Sequence, residues 1–370
     1  MHVALLTAAP VTAHGWGRYT RDLVSALAAQ GVRITLITSR EAPLDPDLPL
    51  TKYHRILPSL TPAPRFSTAR LIASIPLVQR LIRICDVVHA IAEPYALAAS
   101  FSAKPLAITA HGTYIPQTIA RPATGSLYRR VYRRATIICV SSYTAKQVKA
   151  ALSGAPIVVI PNGVNAARFR EPPAALSERK GPIILAVGQV KPRKGYHLLV
   201  AAMPAIRAAL PEAQAVIIGD TSADPVYADS IRAAAWAAGM PEAVRLLGRV
   251  PEDELRGWYH AADVFALPAL NLGGRFEGFG LAYLEASAAG LPVIGTRDCG
   301  AEDAIREGET GVLIAQNDPE ALSAAIIALL RDPAQRARMG AAGAAHAAEH
   351  SWDKVAGRMI TIYEQMLSRR

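Results

Sequence analysis

Short apolar segments rich in β-branched residues recur along the chain, each separated from the next by enough sequence for an amphipathic helix. Because they are continuously apolar rather than alternating, they are typical of strands covered on both faces. Helices between such strands imply parallel sheets. The expected strands are VALLTA, RITLITS, DVVHAIA, LAITAH, TIICVSS and IVVIPNG in the first half, then PIILAVGQ, AQAVIIGD, AVRLLG, VFALPA, PVIGT and GVLIA.

The strand pattern stops and restarts once, between Phe169 and Gly181. The segment REPPAALSERKG at this place combines paired prolines with charged and small residues, which is typical of a linker. A chain of 370 residues also exceeds what one hydrophobic core usually serves. We therefore predict an α/β fold of two doubly wound, Rossmann-like domains, residues 1–174 and 175–351. A ligand is expected in the interdomain cleft, at the carboxyl ends of the strands.

Positive charge is concentrated in the first half of the chain. Residues 1–178 carry 20 basic and 8 acidic residues, whereas residues 179–370 carry 20 and 22. A basic half can attract anionic lipid, nucleic acid or an acidic acceptor, and the solvated surface of an arginine-rich protein accounts for the same excess. The segment SLYRRVYRRA favours a lipid-linked or membrane-proximal acceptor at an anionic membrane surface. Its arginines at helical spacing are Arg129, Arg130, Arg133 and Arg134.

Nothing in the sequence points to secretion or to a membrane span. The three cysteines are widely spaced and fit neither a disulfide framework nor a metal site. The first apolar run has no preceding Lys or Arg and is short for a secretory signal. The most apolar helical stretch, from Leu71, is broken by Pro76 and contains Arg80 and Arg83. We expect a cytoplasmic protein, peripheral at the inner face of the membrane if it binds one.

The segment EGFGLAYLEASAAGLPVIGT is the most specific motif. Two glycines flank a phenylalanine in a tight loop, and a helix follows with one glutamate before it and one a turn inside it. The amides and dipole at a helix N-terminus suit a diphosphate, and a carboxylate one turn in can accept hydrogen bonds from ribose hydroxyls. An ordinary βα loop with two solvated glutamates is the alternative. The candidate donor-binding residues here are Glu277, Gly278, Phe279, Gly280, Leu281 and Glu285.

The segment AVGQVKPRKGYHLLV places several cations after a buried strand. That strand is expected to end at Gly188, and Gln189 follows it. Lys191, Arg193 and Lys194 then occupy a short loop before the next helix. Cations there can neutralise the charge that builds on a departing nucleotide, although a charged surface loop would have the same composition.

These two segments resemble the donor domain of retaining glycosyltransferases of family 4, which have the GT-B fold. The glutamates eight positions apart match the family signature, as do the Lys194-Gly195 pair, the segment LLGRVPEDELRGWYHAADVFALPA and the later GETGVLI. The resemblance implies that Glu285 holds the donor ribose and that Glu277 lies by the transferred sugar. It also implies that Lys194 binds the diphosphate, together with backbone amides near the helix start.

One position departs from the family pattern. The family usually has an arginine directly after the glycine of its first donor-domain strand, where this chain has Gln189. Either Arg193 or Lys191 supplies the missing cation, or phosphate binding is weaker.

The first half contains two further matches to the family. HGWGRYT, with Gly15 and Gly17, resembles its glycine-rich loop after the first strand, where backbone approaches a substrate closely. His111 follows a predicted strand in AITAHGTY, and the resemblance implies that it donates to a sugar hydroxyl; a lone histidine is often structural instead. IPNGVNAARF matches the last strand of the first domain and its exit turn, with Asn162 and Gly163 expected near the cleft. Residues 352–370 should form a helix that packs back on the first domain.

The resemblance implies a hexosyltransferase-like enzyme. It would move a sugar, with retention, from a nucleotide-diphosphate-sugar donor to a hydroxyl acceptor that is a glycan, a lipid-linked molecule or a small molecule. Lys194 and helix amides would meet the diphosphate charge, so neither a cofactor nor a metal is expected. We interpret the DxD at Asp45-Pro46-Asp47 as a chance occurrence in a proline-rich loop. Double displacement with Glu277 as nucleophile and a front-face reaction both remain open.

Three other functions compete with sugar transfer. A nucleotide-sugar epimerase or hydrolase of the same architecture would need no sugar acceptor. A catalytically weak nucleotide-sugar binding protein is suggested by Gln189 alone. A nucleic-acid-binding protein is suggested only by charge, and the sequence has no recognition helix or interleaved aromatic platform, so no nucleic-acid partner is expected.

Overall fold

The computed structural model describes residues 1–9, 15–43, 46–60, 67–171 and 181–369. The chain divides into two compact units, which we call unit 1 (Met1–Gly163 with Trp352–Arg370) and unit 2 (Val164–Ser351). The division falls earlier than the expected boundary after residue 174, because the helix Ala166–Arg170 packs against helices of unit 2. The central part of the expected linker, residues 172–180, lies outside the described residues.

The helices and strands alternate through most of the chain. The strands are β1 His2–Leu6, β2 Arg33–Ser39, β3 Lys52–Leu57, β4 Val87–Ala90, β5 Leu106–Ala110, β6 Thr136–Cys139, β7 Ile157–Val159, β8 Ile183–Val187, β9 Gln214–Ile218, β10 Val244–Gly248, β11 Val264–Ala266, β12 Val293–Thr296 and β13 Gly311–Ile314. The helices are α1 Gly15–Ala29, α2 Ser67–Ile82, α3 Ala96–Ala99, α4 Tyr114–Ile119, α5 Gly125–Tyr132, α6 Ser142–Ala151, α7 Ala166–Arg170, α8 Tyr196–Ala209, α9 Pro225–Ala237, α10 Glu252–Ala261, α11 Leu281–Ala288, α12 Ala301–Ala304, α13 Pro319–Arg331, α14 Pro333–Glu349 and α15 Trp352–Ser368.

Each unit is built on one parallel sheet. In the described part of unit 1, seven strands pair in the order β3-β2-β1-β4-β5-β6-β7. In the described part of unit 2, six strands pair in the order β10-β9-β8-β11-β12-β13. The central strands β1, β5 and β8 are buried along their whole length, as their continuous apolar sequences predict. The predicted class, two doubly wound Rossmann-like domains, is confirmed.

One strand, β3, was missing from the sequence prediction. It lies at the edge of the sheet of unit 1 and pairs only with β2 among the described strands. Its sequence KYHRIL is largely polar, and its residues from Lys52 to Ile56 are exposed or half-buried. An edge strand with little buried surface does not need the continuous apolar run on which the prediction depended.

Helix α2 also differs from expectation, because it continues through Pro76 instead of breaking there. A proline inside a helix leaves one carbonyl without its usual N–H donor. Pro76 lies on the exposed side of α2, so the disrupted turn faces solvent. Across the described residues, no helix is both long enough and apolar enough to cross a bilayer.

Two helical layers cover the sheet of unit 1. Helices α2 to α6 pack on one face, and α1 and α15 pack on the other. The terminal helix α15 lies against α1. Its Tyr363 hydroxyl makes a 2.6 Å hydrogen bond with Nδ1 of the buried His89 on β4. The last helix of the sequence is therefore part of the core of unit 1.

Candidate functional site

The loop between β8 and α8 carries the predicted cations into unit 2. Gly188 follows β8 with φ of 151°, and a short 3-10 helix, Pro192–Lys194, ends at Gly195 with φ of 70°. A Cβ atom on Gly195 would collide with the carbonyl oxygen of Pro268, so only glycine fits there. The backbone of Arg193 is tied to the same segment by the hydrogen bond from the Leu270 N–H, 2.8 Å. The loop therefore places its cations beside the segment that follows β11.

Glu277 lies between two of these cations. Its Oε2 atom is 2.7 Å from Lys194 Nζ and accepts a hydrogen bond of 2.8 Å from Arg193 Nη1. Glu277 and Lys194 are each only 8% exposed. Burial alone would raise the pKa of Glu277, but the two cations together outweigh it and lower this pKa to about 2. Glu277 is therefore a carboxylate throughout the physiological range.

Helix α11 begins directly after this carboxylate. Its N-cap, Gly280, has φ of 83°, and a Cβ atom there would collide with the ring of Tyr283. The Tyr283 hydroxyl donates to the Leu267 carbonyl at 2.6 Å, which anchors α11 to the end of β11. Glu285, one turn in, is 5% exposed, and its Oε2 accepts a 2.9 Å hydrogen bond from the Tyr259 hydroxyl on α10. This bond holds the carboxylate in one orientation.

The remaining residues of the motif have mainly packing contacts. Phe279 is 2% exposed and its ring centroid lies 6.4 Å from that of His350. The Gly278 carbonyl lies where a Cβ atom of Gly300 would be, so these two backbone segments approach closely. Sequence reasoning named Phe279 and Gly278 as donor-binding residues. The structure shows their contacts within unit 2 and does not test that role.

Lys191 adds a third cation to the loop and lies within electrostatic range of the carboxylates of Asp220 and Asp224. Burial lowers the pKa of Lys191, and Arg193 and Arg275 lower it further, so these three cations lie within electrostatic range of each other. Arg275 comes from the segment just before Glu277, and sequence reasoning did not select it. Its position makes it a third candidate, besides Lys191 and Arg193, for the cation that Gln189 does not provide.

His111 lies in unit 1, directly after β5. Its backbone N–H donates to Glu93 Oε1 at 2.9 Å, and its ring Nε2 lies 3.0 Å from the Ile91 carbonyl oxygen. Burial lowers the pKa of His111 to about 4, so the ring is neutral near pH 7. A carbonyl can only accept, so Nε2 carries the proton and Nδ1 offers a lone pair. With Nε2 donating to Ile91, the neutral ring has no second N–H to donate, and Nδ1 can only accept. The role of His111 toward a sugar stays a prediction.

Gly15 and Gly17 lie in the first turn of α1, not in a loop. His14, which precedes them in the motif, lies outside the described residues, as does Asp45 of the DxD. Gly163 packs against the Trp352 ring, so closely that a Cβ atom would come within 2.7 Å of it. This close packing against the first residue of α15 explains why a glycine lies at this position.

Sequence reasoning missed two residues that orient the candidate groups. Tyr259 lies inside a segment that carries the family resemblance, but nothing in the sequence shows that it bonds Glu285. Glu93 had a usable signal, because it is the only acidic residue between Asp86 and Glu171. It lies in the 3-10 helix after β4 and is completely buried beneath His111.

Residues 168–346 match the family model described as glycosyl transferases group 1, and residues 13–168 match the model of Glycosyltransferase Family 4. A GDP-mannose-dependent monoacylated alpha-(1-6)-phosphatidylinositol monomannoside mannosyltransferase of Corynebacterium glutamicum is 36% identical over 61% of this chain and 61% of its own length. The alignment thus spans less than two thirds of that relative.

Longer matches exist. A phosphatidyl-myo-inositol mannosyltransferase of Mycobacterium leprae is 30% identical over 93% of this chain and 91% of its own length. Among solved structures, a sucrose-phosphate synthase from Thermosynechococcus elongatus superimposes with a TM-score of 0.81 over 100% of both chains, at 22% identity. This likeness concerns the fold alone.

Proposed function

Because the chain belongs to glycosyltransferase family 4 and is a glycosyltransferase with the GT-B fold, we propose that it transfers a sugar from a nucleotide-diphosphate sugar to an acceptor hydroxyl with retention. The observation that carries this proposal is the buried Glu277 carboxylate, held by Lys194 and Arg193 immediately before α11. Glu285, fixed by Tyr259, lies one turn inside the same helix.

Each group has a role in the proposed reaction. The start of α11 receives the diphosphate, because its amides and dipole favour negative charge. Lys191 and Arg275 provide cations besides Arg193 and Lys194, which are paired with Glu277. These cations support a reaction that requires no metal and no cofactor. Glu285 accepts from the ribose hydroxyls, and in unit 1 His111 Nδ1 accepts from a sugar hydroxyl.

We favour the front-face reaction over double displacement. A glutamate with a pKa of about 2 is a weak base, and both cations contact the same Glu277 oxygen. The two cations withdraw charge from the whole carboxylate, so either Glu277 oxygen would be a poor nucleophile toward the anomeric carbon. In the front-face reaction Glu277 keeps these contacts, and the leaving phosphate oxygen takes the proton of the acceptor.

The names of the relatives suggest the substrates. One is described as GDP-mannose-dependent, and both act on phosphatidylinositol compounds. We therefore propose GDP-mannose as the donor and a lipid-linked alcohol as the acceptor. The proposed location is cytoplasmic, at the inner face of an anionic membrane, consistent with the excess of basic residues in the first half. Nucleic acid is not proposed as a partner.

A donor screen tests the function. The full chain is heated with GDP-mannose, UDP-glucose and their free diphosphates, and nucleotide release is then measured with and without a lipid acceptor. We expect stabilisation by GDP-mannose and release that requires the acceptor. Release without any acceptor would favour a hydrolase, and a changed sugar on intact nucleotide would favour an epimerase. Stabilisation without turnover under any condition would favour a binding protein.

Glu277→Gln tests the mechanism. The amide keeps the shape but removes the charge that stabilises the reacting sugar, and we expect a loss of kcat of at least about 100-fold. Mass spectrometry of the wild-type enzyme quenched during turnover should find no covalent sugar adduct. A glycosylated Glu277 peptide would instead establish double displacement. Glu254→Gln, on the first turn of α10, is the control for a general effect of charge removal.

A further inference from the structure

The sheet of unit 1 reverses its strand order between β1 and β4. From β1 the chain proceeds outward to β2 and β3, and it then returns to place β4, β5, β6 and β7 on the other side of β1. At such a switch point the helical connections cover opposite faces of the sheet and leave a crevice at the carboxyl ends of the strands. This crevice is a place where unit 1 can bind a ligand.

Two aromatic rings from opposite faces of the sheet meet at this crevice. Trp16 lies in the first turn of α1, which covers one face, but it packs against the hydrophobic cluster of the other face. Tyr114 begins α4, which lies on that other face. The centroids of the two rings, together called the ring pair, are 4.6 Å apart, and their planes are inclined by 52°. Because α1 follows β1 and α4 follows β5, the ring pair lies at the carboxyl edge, near the end of β4.

The ring pair keeps part of its surface open. Tyr114 is 40% exposed and Trp16 is half-buried, whereas Ile115, Thr118 and Ile119 are the residues that bury α4. The face of an aromatic ring carries partial negative charge, which attracts the polarised C–H groups of another molecule. Aromatic surface of this kind, beside a few polar atoms, is typical of a site for a small molecule.

The half-buried His111 supplies a polar atom next to the ring pair. Its ring centroid lies 6.1 Å from that of Trp16, and Tyr19 packs edge-on against it with centroids 4.7 Å apart. Because Nε2 donates to the Ile91 carbonyl, Nδ1 is the atom that can accept from a ligand. Burial lowers the pKa of His111 to about 4, so this acceptor is uncharged near pH 7. The crevice therefore combines aromatic faces with a neutral acceptor for a hydroxyl group.

We propose that Trp16 and Tyr114 form a stacking subsite for the acceptor, and that the acceptor presents a saturated polyol ring, either a cyclitol or a pyranose. One face of such a ring carries C–H groups that stack on the ring pair, while a hydroxyl at its edge donates to His111 Nδ1. An open-chain alcohol has no flat apolar face to place there. The inference rests on the proposed function, because it names the class of acceptor that the enzyme uses.

Ligand-observed NMR tests the subsite without turnover. Saturation transfer from the full chain is measured for myo-inositol, methyl α-mannopyranoside and open-chain mannitol at equal concentrations. We expect the C–H protons of at least one ring compound to be saturated, and those of mannitol to be saturated much less. Equal saturation of mannitol, or saturation of neither ring compound, would overturn the proposal. Displacement of the ring compound by free guanosine would assign the ring pair to a nucleobase and would overturn it as well.

Variants of the ring pair connect this binding to catalysis. Trp16→Leu and Tyr114→Leu remove the aromatic faces but keep an apolar side chain for packing. Each should reduce the saturation of the ring compound and raise the KM for it as acceptor by about three- to tenfold, with the KM for the donor unchanged. Tyr114→Phe keeps the ring and should behave as wild type. Trp236→Leu, at a 75% exposed position on α9 of unit 2, is the matched control and should have no effect.

The same variants separate stacking from a purely structural role. Circular dichroism checks that each variant is folded, and Tyr114→Leu decides the question if Trp16→Leu does not fold. If the leucine variants lower kcat but keep the acceptor KM and the NMR saturation of wild type, the ring pair only packs and the proposal fails. A loss in Tyr114→Phe as large as in Tyr114→Leu would also contradict stacking. Ring binding without sugar transfer from any donor would count against the proposed function alone.

Discussion

The carboxyl group of Glu93 is completely buried, and one of its oxygens, Oε2, has no hydrogen-bond partner among the described residues. The other oxygen accepts from the His111 N–H. Burial raises the pKa of Glu93 to about 8, so the group is protonated near pH 7. A neutral acid of this kind can hold the His111 backbone without placing a full charge beside the proposed sugar site.

Glu93→Gln should therefore remove a pH dependence of stability. A carboxyl with a pKa raised from 4.5 to about 8 stabilises the fold fully below pH 4.5, and this stability is lost as the pH rises toward 8. The folding equilibrium constant should fall about tenfold per pH unit in this window relative to the glutamine variant. Chemical denaturation of both proteins from pH 5 to 8 measures the difference.

The groups around Glu93 do not mask this effect. Burial raises the pKa of Cys139 to about 12 and raises that of Tyr132 well above its usual value, so neither group titrates between pH 5 and 8. Burial lowers the pKa of His111 and of His89. These two groups make the free energy of unfolding rise with pH below pH 6.5, and they do so equally in wild type and in Glu93→Gln. If the free energy of unfolding changed with pH in the same way for wild type and Glu93→Gln, the raised pKa of Glu93 would be contradicted.

Gln189→Arg restores the cation that the family usually has. Lys191, Arg193 and Arg275 already surround this loop, so the added charge should leave transfer intact or raise it by at most severalfold. The expected change is a lower KM for the donor, because an added cation binds the diphosphate in the ground state as well. Steady-state kinetics with varied donor measures it. A large loss of kcat would mean that the loop does not face the diphosphate.

Among the elements, the 3-10 helix Pro192–Lys194 has the most demanding geometry. It ends at Gly195, whose left-handed conformation starts α8 and lets the backbone meet Pro268. This close contact brings a strand–helix loop against the segment that leads to Glu277. The ion pairs of Glu277 with Lys194 and Arg193 depend on it.

Gly195→Ala should lower the stability of unit 2 by more than the cost of placing an alanine in the left-handed conformation. Gly239→Ala is the matched control, because Gly239 has φ of 69° and nothing within 4 Å of its added Cβ atom. The control should cost about 1–2 kcal/mol, and Gly195→Ala should cost distinctly more because of the collision with Pro268. Denaturant unfolding compares the two. Equal costs would mean that the contact with Pro268 relaxes freely.

At the scale of the whole molecule, the chain returns to unit 1 at its end. Helix α15 covers the sheet face that α1 shares, and its Trp352 ring packs edge-on against Tyr19, 5.1 Å between centroids. Tyr19 packs in turn against the His111 ring, 4.7 Å away. The C-terminal residues therefore contribute to the packing around His111.

Removal of Trp352–Arg370 should loosen unit 1 and spare unit 2. Hydrogen exchange should show faster exchange in α1, β1 and β4, with the strands of unit 2 unchanged. Tyr363→Phe is the milder variant: it leaves the buried His89 Nδ1 without its partner and should cost about 1–3 kcal/mol. Glu364→Gln, at an exposed position, is its control. Equal loosening of both units after truncation would contradict this division.

Much of the architecture could be predicted from sequence, because it depends on short-range pattern. Continuous apolar runs define strands such as β5 and β8 wherever they lie, and the glycine-flanked loop before a helix places Glu277 ahead of the helix and Glu285 one turn inside it. The polar edge strand β3 was not predicted, because it buries too little surface to require a continuous apolar run. The expectation that the helix breaks at Pro76 was wrong, because a proline on the exposed side of a helix destabilises it less than one in the core.

The partners of the site residues were decided only by the tertiary structure. Arg193 and Lys194 are more than eighty residues from Glu277 in sequence, and Tyr259 reaches Glu285 from another helix. No local pattern encodes which buried charge meets which cation, or that Glu93 lies beneath His111. Residue type specifies what a side chain can do, whereas burial and long-range contacts decide its protonation state and the atom it offers.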